Sequence, residues 1–155
     1  ALRVTRDPTP DPKEHMPVMT AVPQRDAVMR WARELYAQSV DRKDAAGFAA
    51  AFTPDAWLRF ANWEPIVGRA AIEAAIAQFF TGMIDLRHES KGEFLDGDTL
   101  ILEAFVTYTR HDRKQVTVPA VTIYRLAGAD GDGRVLADQC RIFVDLAPLY
   151  APASS

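Results

Sequence analysis

The chain is short of cysteine: Cys140 stands alone among 155 residues. No intrachain disulfide can staple the fold, and a reducing compartment such as the cytoplasm suits it. No cysteine–histidine cluster has zinc-site spacing, and no glycine-rich loop is available to cradle phosphates, so neither a metal nor a cofactor is expected. Apolar runs are short. None approaches the roughly 20 residues of a membrane helix, and the start of the chain lacks the continuous apolar stretch of a secretory signal. Positive charge is not in excess either. A net charge of −3 argues against a broad nucleic-acid surface, because phosphate recognition needs clustered Lys and Arg.

What is present suits one domain of 17.2 kDa. The composition is 48% hydrophobic with 10% aromatic residues, enough to build a core and a cavity. Once the classes above are excluded, function rests on a small-molecule pocket.

Residues 1–22 carry Pro8, Pro10, Pro12 and Pro17 among charges, which denies the backbone donors and helical angles. This stretch reads as an extended or disordered arm, 23–150 as a single domain, and 151–155 as a tail. After Pro23, the residues Val28, Trp31, Ala32, Leu35 and Tyr36 recur at helical spacing. Asp41 is placed to cap a second short helix that buries Phe48 and Phe52 and ends at Thr53-Pro54-Asp55. Trp57 to Trp63 reads as a short strand. Gly68 precedes a third helix, Arg69 to Phe80, with Ile72, Ile76, Phe79 and Phe80 on one stripe. The period then changes to two. Four strands are expected: Ile84 to Leu95, Leu100 to His111, Gln115 to Leu126 and Val135 to Leu146. Asp96-Gly97-Asp98 is a hairpin signal, and Gly128 to Gly133 a longer turn. Helices followed by consecutive strands mean α+β, with three N-terminal helices packed in the concave face of a strongly curved mixed or antiparallel sheet, an α+β cone barrel.

Alternation sorts the first long strand. Asp85, Arg87, Glu89, Lys91 and Glu93 fall on one face and Ile84, Leu86, His88, Ser90 and Phe94 on the other. The charged row must be solvated, so His88 points to the apolar side. There an imidazole either carries a proton for catalysis or is a satisfied core residue. Leu102, Ala104, Val106 and Tyr108 share one face of the next strand, but its other face is also partly apolar. A second copy of the chain covering the outer face would explain that, which predicts a homodimer through the sheet.

Several segments resemble SnoaL-like domains of the nuclear-transport-factor-2-like superfamily. They are the run from Tyr36 through Asp41, Asp44 and Phe48 to Ala56, then Val67-Gly68-Arg69-Ala70-Ala71-Ile72, and Val118 to Arg125 with Asp145-Leu146. The resemblance covers about residues 24 to 150 and implies the cone-shaped α+β fold. That scaffold hosts isomerases, cyclases, dehydratases, epoxide hydrolases and non-catalytic binders. Tyr36 looks like the helix tyrosine of ketosteroid isomerases, but their two aspartates would fall at Phe60 and near Val121. The Tyr-x-Asn of limonene-epoxide hydrolases reads Phe60-Ala61-Asn62 here. Their Arg-x-Asp pair would fall on Ala104-Phe105-Val106 and their last aspartate near Ile142. Neither mechanism is present as such. SnoaL-type cyclases use a carboxylate and a histidine, which His88 with Asp138 or Asp145 would match.

The residues assigned to catalysis are therefore His88, Tyr36, Asn62 and Asp138. A phenol and an amide polarise a carbonyl oxygen while an imidazole removes the neighbouring proton. Trp31, Trp57, Phe60, Trp63, Val106, Tyr108, Val121 and Ile142 are assigned to substrate binding, as walls for a flat hydrophobic ligand. The expected function is cofactor-free acid–base chemistry on an aromatic, polyketide-like or terpenoid-like molecule, of isomerase, cyclase, dehydratase or lyase type. The alternative is a non-catalytic ligand-binding or accessory subunit with a degenerate site. No nucleic-acid or membrane partner is expected.

Overall fold

A computed structural model describes residues 19–153. Most of the expected N-terminal arm, residues 1–18, therefore lies outside the described residues, as do the last two of the tail. The described chain runs α1 (Arg25–Gln38), a 3-10 turn (Val40–Arg42), α2 (Ala45–Ala49), β1 (Phe52–Phe60), β2 (Ile66–Val67) and α3 (Arg69–Phe80). Then come β3 (Asp85–Asp96), β4 (Thr99–Thr109), β5 (Gln115–Ala129), β6 (Val135–Val144) and a closing turn of helix, α4 (Ala147–Tyr150). The fold is α+β. Helices pack against one face of a six-stranded sheet of order β2-β1-β6-β5-β4-β3, and the sheet is not closed. It is mixed, because β1 runs parallel to β6 while the other pairs are antiparallel.

Burial explains the helices. Val28, Met29, Ala32 and Leu35 of α1 and Ile72, Ile76, Phe79 and Phe80 of α3 are buried at 3.6-residue spacing. Long side chains in the sheet meet them: Leu58 of β1, Leu86 of β3, Leu100 and Val106 of β4, and Tyr124 of β5.

Three local expectations are corrected. Asp41 does not cap α2. Asp44 does, its side chain accepting the Gly47 amide at 3.0 Å. Thr53-Pro54-Asp55 does not end a helix but lies inside β1, which starts at Phe52 rather than Trp57. The pairing of β1 with β6 shifts between Phe52 and Trp57, and this irregularity accommodates a proline that has no amide to donate. The third correction concerns β3. A bulge between Ser90 and Gly92 shifts its register against β4. Phe94, expected inside, is 56% exposed, and Glu93 takes a partly buried place. Gly92 permits the bulge, since a Cβ there would sit 2.8 Å from the Phe94 ring.

Candidate functional site

The site begins with the edge position of β3. An edge strand leaves alternate amides unpaired. At His88 that free N–H donates to Asp41 Oδ2 at 3.2 Å, and the ring Nδ1 lies 2.6 Å from Asp41 Oδ1. Asp41 reaches it from the 3-10 turn after α1. That turn closes through Lys43 in the left-handed region at φ 55°, and the Lys43 ammonium donates to the Met83 carbonyl at 3.1 Å. A carboxylate can only accept, so Nδ1 carries a proton, and in the neutral ring Nε2 is the nitrogen with the lone pair. Nε2 has no protein partner among the described residues, and it is not a sealed, unsatisfied atom. The ring is held by one nitrogen and open at the other.

Tyr36 stands beside it from α1. The two rings are 4.7 Å apart, edge to face. The Tyr36 hydroxyl lies 2.7 Å from that of Tyr124, a fully buried residue of β5. Thr122 stands near the Tyr36 hydroxyl, and Cys140 near that of Tyr124. Burial pushes both phenols and the Cys140 thiol well above their ordinary ranges, because charge is costly where water is excluded. These groups stay neutral and act as hydrogen-bond donors and acceptors.

Two cavities meet at this pair. An inner one of about 50 Å³ has apolar walls that include Phe60, Phe79, Leu86, Val106 and Ile142, with Tyr108 among them. An outer one of about 200 Å³ is lined by Asp41, Arg33, Ser90, Glu93, Glu103 and Ala104. Tyr36, His88, Ala120 and Thr122 border both. The imidazole thus sits between a greasy chamber and a polar one.

Among the residues singled out from sequence, the structure brings together Tyr36, His88, Phe60, Val106, Tyr108 and Ile142 around the inner cavity. Trp63 packs behind that wall, 4.9 Å from Phe60 and 5.9 Å from Phe79 between ring centres. Trp31 packs on Tyr124 at 5.9 Å and lines neither cavity. Strand parity sends Trp57 and Val121 to the other face of the sheet. Leu58 and Phe60 of β1 pair with inward Cys140 and Ile142, so Trp57, opposite Gln139, points outward. Val121 flanks inward Thr122 and faces Phe143. Asp138 also lies on that outer face, in an ion pair with Arg125 at 2.8 Å. Asn62 is exposed in the turn after β1, following Ala61 at φ 50°. Neither Asn62 nor Asp138 lines the cavities. The functional group the sequence reading missed is Asp41. Two aspartates three apart, Asp41 and Asp44, both suit a helix cap, and only the long-range contact with β3 separates them. No group of three His, Cys, Asp or Glu side chains among the described residues is placed to hold a metal ion. No helix among them is long and apolar enough to cross a membrane.

The architecture has many solved counterparts. ActVI-ORFA from Streptomyces coelicolor superposes with a TM-score of 0.67 at 24% identity, over 77% of this chain and 96% of that one. A candidate SnoaL-like polyketide cyclase from Jannaschia sp. CCS1 gives 0.65 at 21% identity, over 88% and 100%. A Catenulispora acidiphila protein in complex with S-DNPA gives 0.61 at 23% identity, over 77% and 92%. No curated protein matches the sequence. The family model described as the SnoaL-like domain matches residues 32–136, which span Asp41, His88 and the strands that wall the cavity. The chain belongs to the SnoaL-like domain family.

Proposed function

We propose that the protein binds a small, flat, largely hydrophobic molecule and carries out cofactor-free acid–base chemistry on it, of cyclase or isomerase type. The observation that carries this reading is the His88 ring, anchored through Nδ1 to Asp41 and open at Nε2 where two cavities meet beside the Tyr36 hydroxyl. Nε2 takes a proton from the carbon next to a ligand carbonyl. The electron pair of that C–H bond moves to the carbonyl oxygen as an enolate. Tyr36 donates its hydroxyl proton in a hydrogen bond to that oxygen, and Asp41 stabilises the imidazolium. The proton returns at a second carbon in an isomerisation, or the enolate carbon attacks another carbonyl and closes a ring, with the C=O π pair passing to that oxygen, which then takes the proton from the imidazolium. Proton transfer by a positioned group contributes about 10²–10⁴-fold. Among relatives of the fold, the Jannaschia protein is a candidate SnoaL-like polyketide cyclase and the Catenulispora protein is in complex with S-DNPA.

A purely binding role is favoured by one feature, the apolar character of Phe60, Val106 and Ile142 around the inner chamber. The test separates the two. A panel of aromatic and terpenoid ketones is incubated in D₂O, and α-deuterium uptake is followed by NMR. Catalysis predicts saturable exchange lost in a folded His88→Ala variant. Ligand-induced shifts with no exchange of any ketone would leave the binding role.

The same reading includes a homodimer through the outer face of the sheet. Phe143 is 56% and Phe105 40% exposed there, and Val121 pairs beside Phe143. A second copy is the cover this face suits.

A further inference from the structure

The inner cavity is apolar along most of its wall, and the side chains there that can hydrogen-bond are not spread evenly. Tyr36, His88 and Thr122 gather at one end, since they also border the outer cavity. Among the described residues, Tyr108 is the polar side chain that borders the inner cavity alone. Register sets it apart from the imidazole. His88 of β3 pairs with Val106 of β4, and Tyr108 lies two residues further along, about 7 Å on a strand that rises roughly 3.4 Å per residue. Leu86 of β3 stands opposite Tyr108, and the Phe79 ring meets it edge-on at 6.1 Å.

Tyr108 is 3% exposed. A buried phenol normally finds a partner, as Tyr36 and Tyr124 do in each other at 2.7 Å. The Tyr108 hydroxyl has no hydrogen bond among the described residues. It is not a sealed atom either, so it opens on the space its residue lines. A single water suits that space poorly. It needs about two to four polar partners, and the neighbouring side chains Phe79, Leu86 and Val106 supply none. Burial holds the phenol protonated, above its ordinary 10.0, so it can both donate and accept.

We propose that the Tyr108 hydroxyl is a second anchoring point, which selects ligands that carry a hydroxyl or carbonyl oxygen at the end remote from the reacting ketone. The proposal rests on the reading that the inner cavity holds a ketone beside His88 and Tyr36. With the ketone at that end, an oxygen on the far side of a fused bicycle reaches Tyr108, because opposite substituents of such a skeleton are about as far apart as the two-residue offset on β4. Phe79 and Val106, between the two ends, suit the flat hydrocarbon body. An analogue without the far oxygen covers the phenol and leaves it unpaired, which lowers affinity by roughly tenfold against the ligand that matches it.

Two ketones that differ only in that oxygen test it: 2-tetralone and 6-hydroxy-2-tetralone, titrated by NMR into wild type and Tyr108→Phe. The expected affinity ratio is about tenfold in favour of the hydroxylated ketone in wild type and close to one in Tyr108→Phe. Removing a hydroxyl that bonds nothing in the protein should also leave the urea midpoint of Tyr108→Phe at or above the wild-type value. Equal affinity for the two ketones in wild type overturns the proposal. So does a preference that survives Tyr108→Phe, or a midpoint that drops in that variant. Deuterium exchange separates this from failure of the underlying reading. If 2-tetralone exchanges in wild type and not in a folded His88→Ala variant, that reading stands whatever the ratio. If neither ketone binds wild type, both fall.

Discussion

Replacing Asp41 by asparagine probes the residue that sets the chemistry of the imidazole. The carboxylate accepts twice, from the His88 ring at 2.6 Å and from its backbone amide at 3.2 Å. A hydrogen bond to a charged group is worth about 1.5–3 kcal/mol, and both partners here are only partly buried, so the stability loss should be about 1–2 kcal/mol. The functional loss should be larger. Asparagine can turn its NH₂ toward Nδ1, which makes Nδ1 the acceptor and moves the ring proton to Nε2. The lone pair that faces the cavity is then gone. A wrong tautomer removes most of the benefit of a positioned base, about 10²–10⁴-fold. The assay pairs two readouts. Long-range ¹H–¹⁵N spectra identify which ring nitrogen of His88 carries the proton. Deuterium uptake at the α-carbons of 2-tetralone gives the rate. Asp41→Asn should move the proton to Nε2 and cut the exchange rate at least a hundredfold, with the fold intact. An unchanged tautomer, or exchange within twofold of wild type, refutes the reasoning.

Tyr124→Phe keeps the ring packed against Trp31 and removes only the hydroxyl that meets Tyr36. The exchange rate should fall about tenfold while ketone affinity stays within twofold, because a donor to Tyr36 strengthens the Tyr36 hydroxyl as a donor in turn; unchanged exchange counts against that chain. The buried phenols of Tyr36, Tyr108 and Tyr124 lie above their ordinary value of 10.0, and the Cys140 thiol above 9.0, because of burial. The folded state holds these protons more tightly than the unfolded chain. Their contribution is therefore complete below pH 9 and is lost as pH rises, by about 1.4 kcal/mol per pH unit for each group past its unfolded value. Urea midpoints measured from pH 8 to 11 should fall steadily above pH 9, and a flat profile would contradict the burial. Phe143→Glu should convert a sedimenting dimer to a monomer with an unchanged circular dichroism spectrum, and a monomeric wild type would remove the proposed interface.

The architecture was legible because burial and periodicity coincide in the long elements. The stripe of Ile72, Ile76, Phe79 and Phe80 marks α3, and the Asp96-Gly97-Asp98 turn marks the first hairpin. His88 was legible from its neighbours, since a charged row on one face of β3 requires the other to be inside. What strand alternation could not convey was register beyond an irregularity. The bulge at Gly92 exchanged Phe94 for Glu93, and pairing of β1 with β6 turned Trp57 outward. Asp138 and Asn62 have side chains suited to chemistry, but their positions are fixed by Arg125 and by a turn. Asp41 was hidden for the opposite reason. It is 47 residues from His88 along the chain, and nothing local distinguishes it from the cap at Asp44.

Chemical rescue puts the central claim to its most direct test. His88→Ala leaves a space at the junction of the two cavities, bordered by Tyr36 and Thr122. Free imidazole added to that variant should restore saturable deuterium exchange into 2-tetralone, with a rate that rises with imidazole and levels off, while Tyr36 and Asp41 remain in place. A His88→Ala variant that exchanges the ketone at the wild-type rate without imidazole would contradict the account.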